Sequence, residues 1–325
     1  MTPNDARWMG AAIALGERGR GRTAPNPPVG CVIVAGGRVV GRGWTQPGGR
    51  PHAEAMALGL AGTESRGATC YTTLEPCAHR STRGPACADG LIAAGVARVV
   101  AALGDPDPRT NGEGFARLRA AGIAVEVGPG ADAARRSMAG FLTCRTRGRP
   151  HVTLKLATSL DGRIALSSGE SRWITGPEAR AHAHLERARH EAILVGRGTW
   201  NADAPRLDVR LPGLEARGPR RVVLSSAPPG VENDPPLWIS SPHAVADLAN
   251  VDHLLVEGGA GAAAAFLAAD LVDRLLLYRA PIILGAGLPA IGDIGLTELA
   301  GAHGRWRLHD ARALGSDRLE VYERR

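Results

Sequence analysis

The feature that most constrains this chain is a repeated alternation of short β-rich apolar stretches with helical ones, broken once by the basic segment TCRTRGRPH at 143–151. Before the break, CVIVAGGRVVGRGW reads as two strands folded at Gly36-Gly37, and PHAEAMALGL as a helix running from Pro51 through Leu60. GATCYTTLEP is β-rich, CADGLIAAGV helical, ARVVAAL a buried strand, GEGFARLRAAG helical and IAVEVG a strand, with a further helix from Asp132. The pattern then restarts. HVTLKLATSLDG reads as strand and turn, GPEARAHAHLERARH as a helix, and EAILVG, RRVVLSS and VDHLLVEGG as strands. AAAAFLAADL is helical, and VDRLLLYRAPIILG is strand and bend. Strands separated by helices imply layered α/β sheets with parallel crossovers. A chain of 325 residues exceeds one usual core, so two α/β domains are expected, 1–148 and 149–325, with no internal repeat between them.

The opening stretch, MTPNDARWMGAAIALGERGR, lacks the basic start and clean apolar run of a leader. It reads as a helix with Thr2 as cap and Asp5 completing a capping box. No apolar stretch approaches the ~18 residues a membrane span needs, so a cytoplasmic enzyme is expected. Five cysteines do not make a disulfide framework.

His52 and Glu54, followed by Cys77 and Cys87, carry the chemistry. In the first turn of a helix, residues two apart point about 200° from one another. They therefore share a pocket only if the helix end faces it. Each cysteine stands near a proline, Pro76 or Pro85, and both thiols are expected at helix N-termini, where the dipole favours thiolate. One imidazole and two thiolates leave zinc a fourth position for water, the mark of a catalytic site, and an unligated Glu54 can shuttle a proton. The order H-x-E…P-C…C is that of the zinc deaminases, except that nine residues rather than two separate the cysteines. Cys70, Cys31 and Cys144 read as small core residues.

Charge adds two hints. The net charge of +7 lies wholly in the first half, where 18 Arg through Gly148 face 11 acidic residues; beyond it basic and acidic residues number 21 each. An anionic ligand such as a phosphate ester fits that excess. RNA fits less well, because stacking platforms need aromatics and these are only 4% of the chain. Of 39 basic residues, Lys155 is the one lysine, which points to a position where a compact ammonium serves and guanidinium does not.

The motifs PNPPVGCVIV, PHAEAMAL, TLEPCAHRSTRGPAC, DPDPRTNGEGFARLRAAGI, LKLATSLDGRIA, SGESRWITG and VEGGAG, in that order, make the chain resemble the bifunctional deaminase–reductases of riboflavin biosynthesis over nearly its whole length. The resemblance implies a cytidine-deaminase-like N-terminal domain and a dihydrofolate-reductase-like C-terminal one. The first would hydrolyse the 2-amino group of 2,5-diamino-6-ribosylamino-4(3H)-pyrimidinone 5′-phosphate. The second would use NADPH to reduce the ribosyl side chain to ribityl. By position it implies His52, Cys77 and Cys87 as Zn2+ ligands, Glu54 as proton shuttle and Lys155 as the reductase lysine. Substrate contacts fall on Asn26, His79, Ser171, Arg187, Leu207, Arg210 and Glu257, and cofactor contacts on Ala157, Trp173, Thr199, Asp203, Ser226, Gly259 and Gly261. The two glycines would admit backbone amides to the cofactor pyrophosphate at a helix N-terminus. Expected partners are the phosphorylated pyrimidine and further copies of the chain, as dimer or tetramer, with neither nucleic acid nor membrane.

The chain departs from the family pattern in places. CAHRSTRGPAC has one extra residue, Arg80 stands where a second histidine is usual, and the family's basic residue has no unambiguous counterpart among Arg80 and Arg83. Thr45 and Ala204 replace a usual histidine and carboxylate. The stretch between VVLSS and VEGG is short, leaving as the alternative a deaminase whose C-terminal domain no longer reduces.

Overall fold

The structure is a computed structural model that describes residues 3–79, 84–227 and 235–325. Contacts divide the chain into two compact units, Met1–Gly148 and Arg149–Arg325.

The first unit runs α1 (Pro3–Gly16), β1 (Gly30–Ala35), β2 (Arg38–Trp44), α2 (Ala53–Ala61), β3 (Thr69–Thr72), α3 (Cys87–Ala94), β4 (Arg98–Ala101), α4 (Glu113–Ala120), β5 (Ala124–Val127), α5 (Ala131–Ser137) and α6 (Ala139–Arg147). Its five strands lie in the order β2-β1-β3-β4-β5. Only β3, β4 and β5 are parallel; β1 runs antiparallel to both neighbours, and the Gly36-Gly37 turn sends the chain straight back from β1 into β2. The core joins β1, β3 and β4 to α1, α2 and α3 through Met9, Ile33, Leu91 and Val99, all fully buried. Helix α2 packs on β2 at close quarters: a Cβ on Gly43 would stand 2.3 Å from the Ala53 carbonyl oxygen, and one on Gly41 2.1 Å from that of Ala57. These two glycines fix the start of α2 against the sheet. Asp5 accepts hydrogen bonds from Arg98 (2.8 Å) and Tyr71 (3.0 Å); Thr2, its expected capping partner, lies outside the described residues.

The second unit runs β6 (His151–Thr158), β7 (Arg163–Ala165), α7 (Pro177–Arg187), β8 (Ala192–Gly196), α8 (Arg197–Asp203), β9 (Arg220–Leu224), β10 (Leu237–Ile239), β11 (His253–Val256), α9 (Ala260–Ala268), β12 (Val272–Arg279), β13 (Leu288–Pro289), β14 (Trp306–Leu314) and β15 (Asp317–Arg324). Eight strands form one sheet, β10-β9-β8-β11-β6-β12-β15-β14, parallel from β10 to β12 and antiparallel over the last two. The central strands β8 and β11 are almost wholly buried and β6 is buried at most positions, as a sheet covered on both faces requires. The hairpin β14–β15 is absent from the sequence reading, because β14 is exposed at most positions and carries no apolar alternation. In the short stretch before β11, Pro242–Asp247 makes a six-residue 3-10 turn, while 228–234 lie outside the described residues.

Candidate active sites

The first site gathers around the start of α2. His52 is the residue before the helix rather than part of its first turn: with φ −72° and ψ 162° it is extended, and α2 begins at Ala53. This corrects the first-turn placement, and the extended backbone frees the imidazole to face away from the helix side. Cys87 opens α3, as expected of a thiol at a helix N-terminus. Cys77 does not: 75–79 have no regular structure. Tertiary contacts supply what a helix would have. The Cys87 backbone N–H donates to the Cys77 sulfur (3.3 Å), and the Ala88 N–H to the Cys77 carbonyl oxygen (3.2 Å).

His52 Nδ1 lies 3.3 Å from Cys87 Sγ and 3.6 Å from Cys77 Sγ, and the three donor atoms all lie within 4.8 Å of one another. An imidazole nitrogen and a thiolate on tetrahedral zinc stand roughly 3.5 Å apart, from bond lengths of about 2.0 and 2.3 Å. The donors therefore fit zinc in both chemistry and spacing. Cys77 is pulled far below the usual thiol range, first by the hydrogen bond from Cys87 and then by His52, while that same pairing and burial push Cys87 up. Asn26 Nδ2 donates to the Gly49 carbonyl oxygen (2.7 Å) and stands 3.4 Å from His52 Nε2.

Glu54 is buried, and Thr72 Oγ1 donates to its Oε1 at 3.3 Å. Burial pushes its carboxyl up, against a smaller opposing pull from His52. Such a group takes and releases a proton nearer neutrality than an exposed carboxylate. His52, Glu54, Cys77, Asn26 and His79 line one cavity of about 260 Å³, with Thr45 in its wall donating no contact to the ligand set but accepting the Val29 N–H through Oγ1 (3.0 Å). Arg80 and Arg83 lie outside the described residues.

Sequence reasoning missed Glu75. Its buried carboxylate accepts N–H groups from Asp105 (3.2 Å), Gly112 (3.0 Å) and Phe115 (3.2 Å), shaping the loop that brings Asp105, Asp107 and Arg109 to the cavity. Nothing local distinguishes this glutamate from any acid beside a proline. Of the cysteines read as core, Cys31 and Cys70 are fully buried with sulfurs 3.5 Å apart as free thiols. Cys144 is only half-buried, one turn beyond the buried Gly140 and Phe141 on α6.

In the second unit, the pairing of Val256 on β11 with Leu154 on β6 sets Glu257 beside Lys155. Lys155 Nζ lies 3.8 Å from Glu257 Oε2. From the end of α7, Arg187 grips the same carboxylate, Nε to Oε1 at 2.8 Å and Nη2 to Oε2 at 2.9 Å, and its Nη1 donates to the Asp208 carbonyl oxygen at 3.0 Å. Burial pushes the Glu257 carboxyl up, but Lys155 and Arg187 outweigh it and hold it at about 2. Arg210 joins at one remove through Asp208 (3.0 Å).

Other residues singled out from the sequence are more dispersed. The Gly259 N–H donates to Thr199 Oγ1 (3.3 Å) at the start of α9. Asp203 accepts from Arg172 (3.5 Å), and Arg180 lies over the exposed Trp173 ring at 4.8 Å. Ala157 lies on β6 opposite Tyr278. No hydrogen bond or ion pair among the described residues joins Ser171, Trp173 or Ser226 to the Lys155–Arg187–Glu257 cluster, and Ser226 is exposed. The Leu207 side chain packs into the core with Ile193, Val195, Val223 and Leu255, so only its backbone, at φ 54°, can face a ligand. Gly261 meets nothing within 4 Å. It is Gly258 whose Cβ would collide, at 2.4 Å from that of Ala262, so close packing of α9 rests on a glycine the sequence did not single out.

Both units match known protein families. Residues 2–103 match the cytidine and deoxycytidylate deaminase zinc-binding region, and 150–319 the RibD C-terminal domain. The riboflavin biosynthesis protein RibD of Escherichia coli is 40% identical over 96% of this chain and 97% of that protein. Among solved structures, Acinetobacter baumannii RibD superposes with a TM-score of 0.88 at 35% identity, covering 99% of each chain. A diaminohydroxyphosphoribosylaminopyrimidine deaminase/5-amino-6-(5-phosphoribosylamino)uracil reductase from Thermotoga maritima gives 0.87 at 30% identity, again over 99% of each. The fold is thus cytidine-deaminase-like followed by dihydrofolate-reductase-like. The chain belongs to the RibD family: it is a bifunctional deaminase and reductase of riboflavin biosynthesis, with zinc serving the first activity and NADPH the second.

Proposed function

We propose that Met1–Gly148 deaminates 2,5-diamino-6-ribosylamino-4(3H)-pyrimidinone 5′-phosphate and that Arg149–Arg325 reduces the product to 5-amino-6-ribitylaminouracil 5′-phosphate. The observation that carries the reading is the convergence of His52 Nδ1, Cys77 Sγ and Cys87 Sγ beside the buried carboxyl of Glu54.

His52, Cys77 and Cys87 hold the zinc, which when bound supplies the Lewis acidity that makes a water molecule nucleophilic near neutral pH. Glu54 accepts a proton from that water and returns one to the departing amine, so water and the C2–NH2 group become a C2 carbonyl and ammonia. Thr72 keeps the Glu54 carboxyl turned toward the cavity. Asn26 and His79 contact the pyrimidine side of the substrate.

In the second unit Lys155 is the catalytic ammonium, held in place by Glu257, while Arg187 braces that carboxylate. Ser171, Arg210 and the Leu207 backbone complete the substrate contacts. Ala157, Trp173, Thr199, Asp203, Ser226, Gly259 and Gly261 face NADPH. NADPH, when bound, would supply a hydride to the sugar carbon attached to nitrogen, and the ring oxygen would take up a proton as its bond to that carbon breaks, opening ribosyl to ribityl. The enzyme works in the cytoplasm as a dimer or tetramer, without nucleic acid; among the described residues no helix is long and apolar enough to cross a membrane.

Metal analysis of the purified chain, with product identification from the diaminopyrimidine phosphate with and without NADPH, tests the reading. One zinc per chain, ammonia release without NADPH, and ribityl product only with it are expected. Absence of ammonia release from the zinc-loaded protein would overturn it.

A further inference from the structure

Lys155 Nζ stands 3.8 Å from Glu257 Oε2, beyond hydrogen-bond reach, and both oxygens of that carboxylate are already held by Arg187 at 2.8 and 2.9 Å. Charge attraction draws an ammonium toward a carboxylate but does not fix where it stops. A second contact does. Lys155 Nζ lies over the Tyr278 ring, 5.8 Å from its centroid. Sheet register brings the two together: Leu276 of β12 pairs with Lys155 and Tyr278 with Ala157, so ammonium and phenol rise from one face. The negative face of an aromatic ring attracts a cation within about 6 Å.

The ring is itself held. Tyr278 is 1% exposed and packs with Ala179 and Ala183 of α7 and with Leu319 and Val321 of β15. Its hydroxyl lies 2.7 Å from His182 Nδ1 on α7, and His182 Nε2 lies 3.2 Å from Arg312 Nη2 on the edge strand β14. A guanidinium only donates, so Nε2 accepts, and Nδ1 carries the hydrogen that it gives to the Tyr278 oxygen. Burial pulls the imidazole down, opposed by Glu186 and assisted by Arg312, and burial pushes the phenol well up. Both rings stay neutral, and the hydrogen bond between them keeps one direction. None of these three residues stands out in the sequence.

We propose that Tyr278 is a positioning residue of the reductase: its ring face, set by His182 and Arg312, holds the Lys155 ammonium short of Glu257 and keeps its N–H donors available to substrate. This deepens the reading of Lys155 as the catalytic ammonium and rests on it. Tyr278 acts through Lys155 and not on the substrate itself.

Lys155 is the one lysine of the chain, so full-length protein made with lysine isotope-labelled at Cε gives one side-chain NMR signal. Protons over an aromatic face resonate upfield, and the wild-type Lys155 Hε signal should lie upfield of free lysine. Tyr278→Leu should return it to the free-lysine position and lower kcat for NADPH-dependent reduction about tenfold, with KM for NADPH unchanged. Tyr278→Phe keeps the face but not the hydroxyl, so it should keep the upfield signal and lose only about threefold. His182→Gln should match it, and the double variant should be no worse than either, since both remove one hydrogen bond. An unmoved signal in Tyr278→Leu, or equal losses of kcat in the Leu and Phe variants, overturns the proposal. If Tyr278→Leu fails to fold, Tyr278→Met refills the volume without a ring and is read in the same way. If neither folds, the wild-type signal decides, and one at the free-lysine position overturns the contact. Lys155→Gln should abolish reduction; if it does not, the catalytic reading of Lys155 fails, while the signal still decides whether Tyr278 holds the ammonium.

Discussion

Arg187 holds Glu257 by two parallel hydrogen bonds, 2.8 and 2.9 Å, inside the second unit. Burial alone would push this carboxyl up from its ordinary 4.5; with Lys155 and Arg187 it sits at about 2. A carboxyl depressed on folding stabilises the native state above its unfolded pKa, and that contribution is lost as pH falls from about 4.5 toward about 2. The full effect is about 3 kcal/mol. Glu257→Gln should flatten the acid limb of the unfolding curve over that window, read by denaturant midpoints at several pH values. Arg187→Met leaves the carboxylate buried against Lys155 alone and should cost about 3–5 kcal/mol at neutral pH. A wild-type acid limb in Glu257→Gln would show the pair to be looser than drawn.

Glu54→Gln separates holding metal from moving protons. The carboxyl lies outside the ligand set, so zinc content should stay at the wild-type level while deamination falls by about 100-fold or more. Cys87→Ala removes a ligand and should abolish both. Atomic absorption beside an ammonia assay distinguishes the two variants, and equal zinc loss in both would mean that Glu54 is itself a ligand.

Asp105 gives the opposite pH sign. Burial pushes its carboxyl up from 3.8 to about 6, so its ionisation opposes folding as pH rises through that interval. Asp105→Asn keeps an acceptor for the Asp107 N–H (2.9 Å) and should raise stability at pH 7 by about 1 kcal/mol, discounted for partial exposure. At pH 4 it should change little. A stabilisation equal at both values would exclude titration as its source.

Gly43→Ala tests how α2 is positioned. The added Cβ would stand 2.3 Å from the Ala53 carbonyl oxygen, next to His52, so strand and helix must part. A loss of about 1–3 kcal/mol is expected from such overpacking, together with weaker zinc retention against a chelator. Full stability with wild-type zinc retention would show that the helix start moves without disturbing its ligand.

The sequence by itself determined the alternation of strands and helices, the break near Gly148, and the order of an imidazole, a carboxylate and two thiols, because periodicity, prolines and glycines act over a few residues. It also marked Lys155, through being the one lysine. Only the tertiary structure decided how Cys77, off any helix, receives its amide from Cys87, and how Glu75 shapes the loop facing the cavity. The register of β11 on β6 brings Glu257 beside Lys155, and α7 delivers Arg187 to the same carboxylate. β14, the outer strand of the β14–β15 hairpin, is exposed along most of its length and left no apolar pattern to read. These are contacts between residues far apart in the chain. Sheet register and the packing of helices on sheets set them, and neither leaves a local trace in composition or spacing.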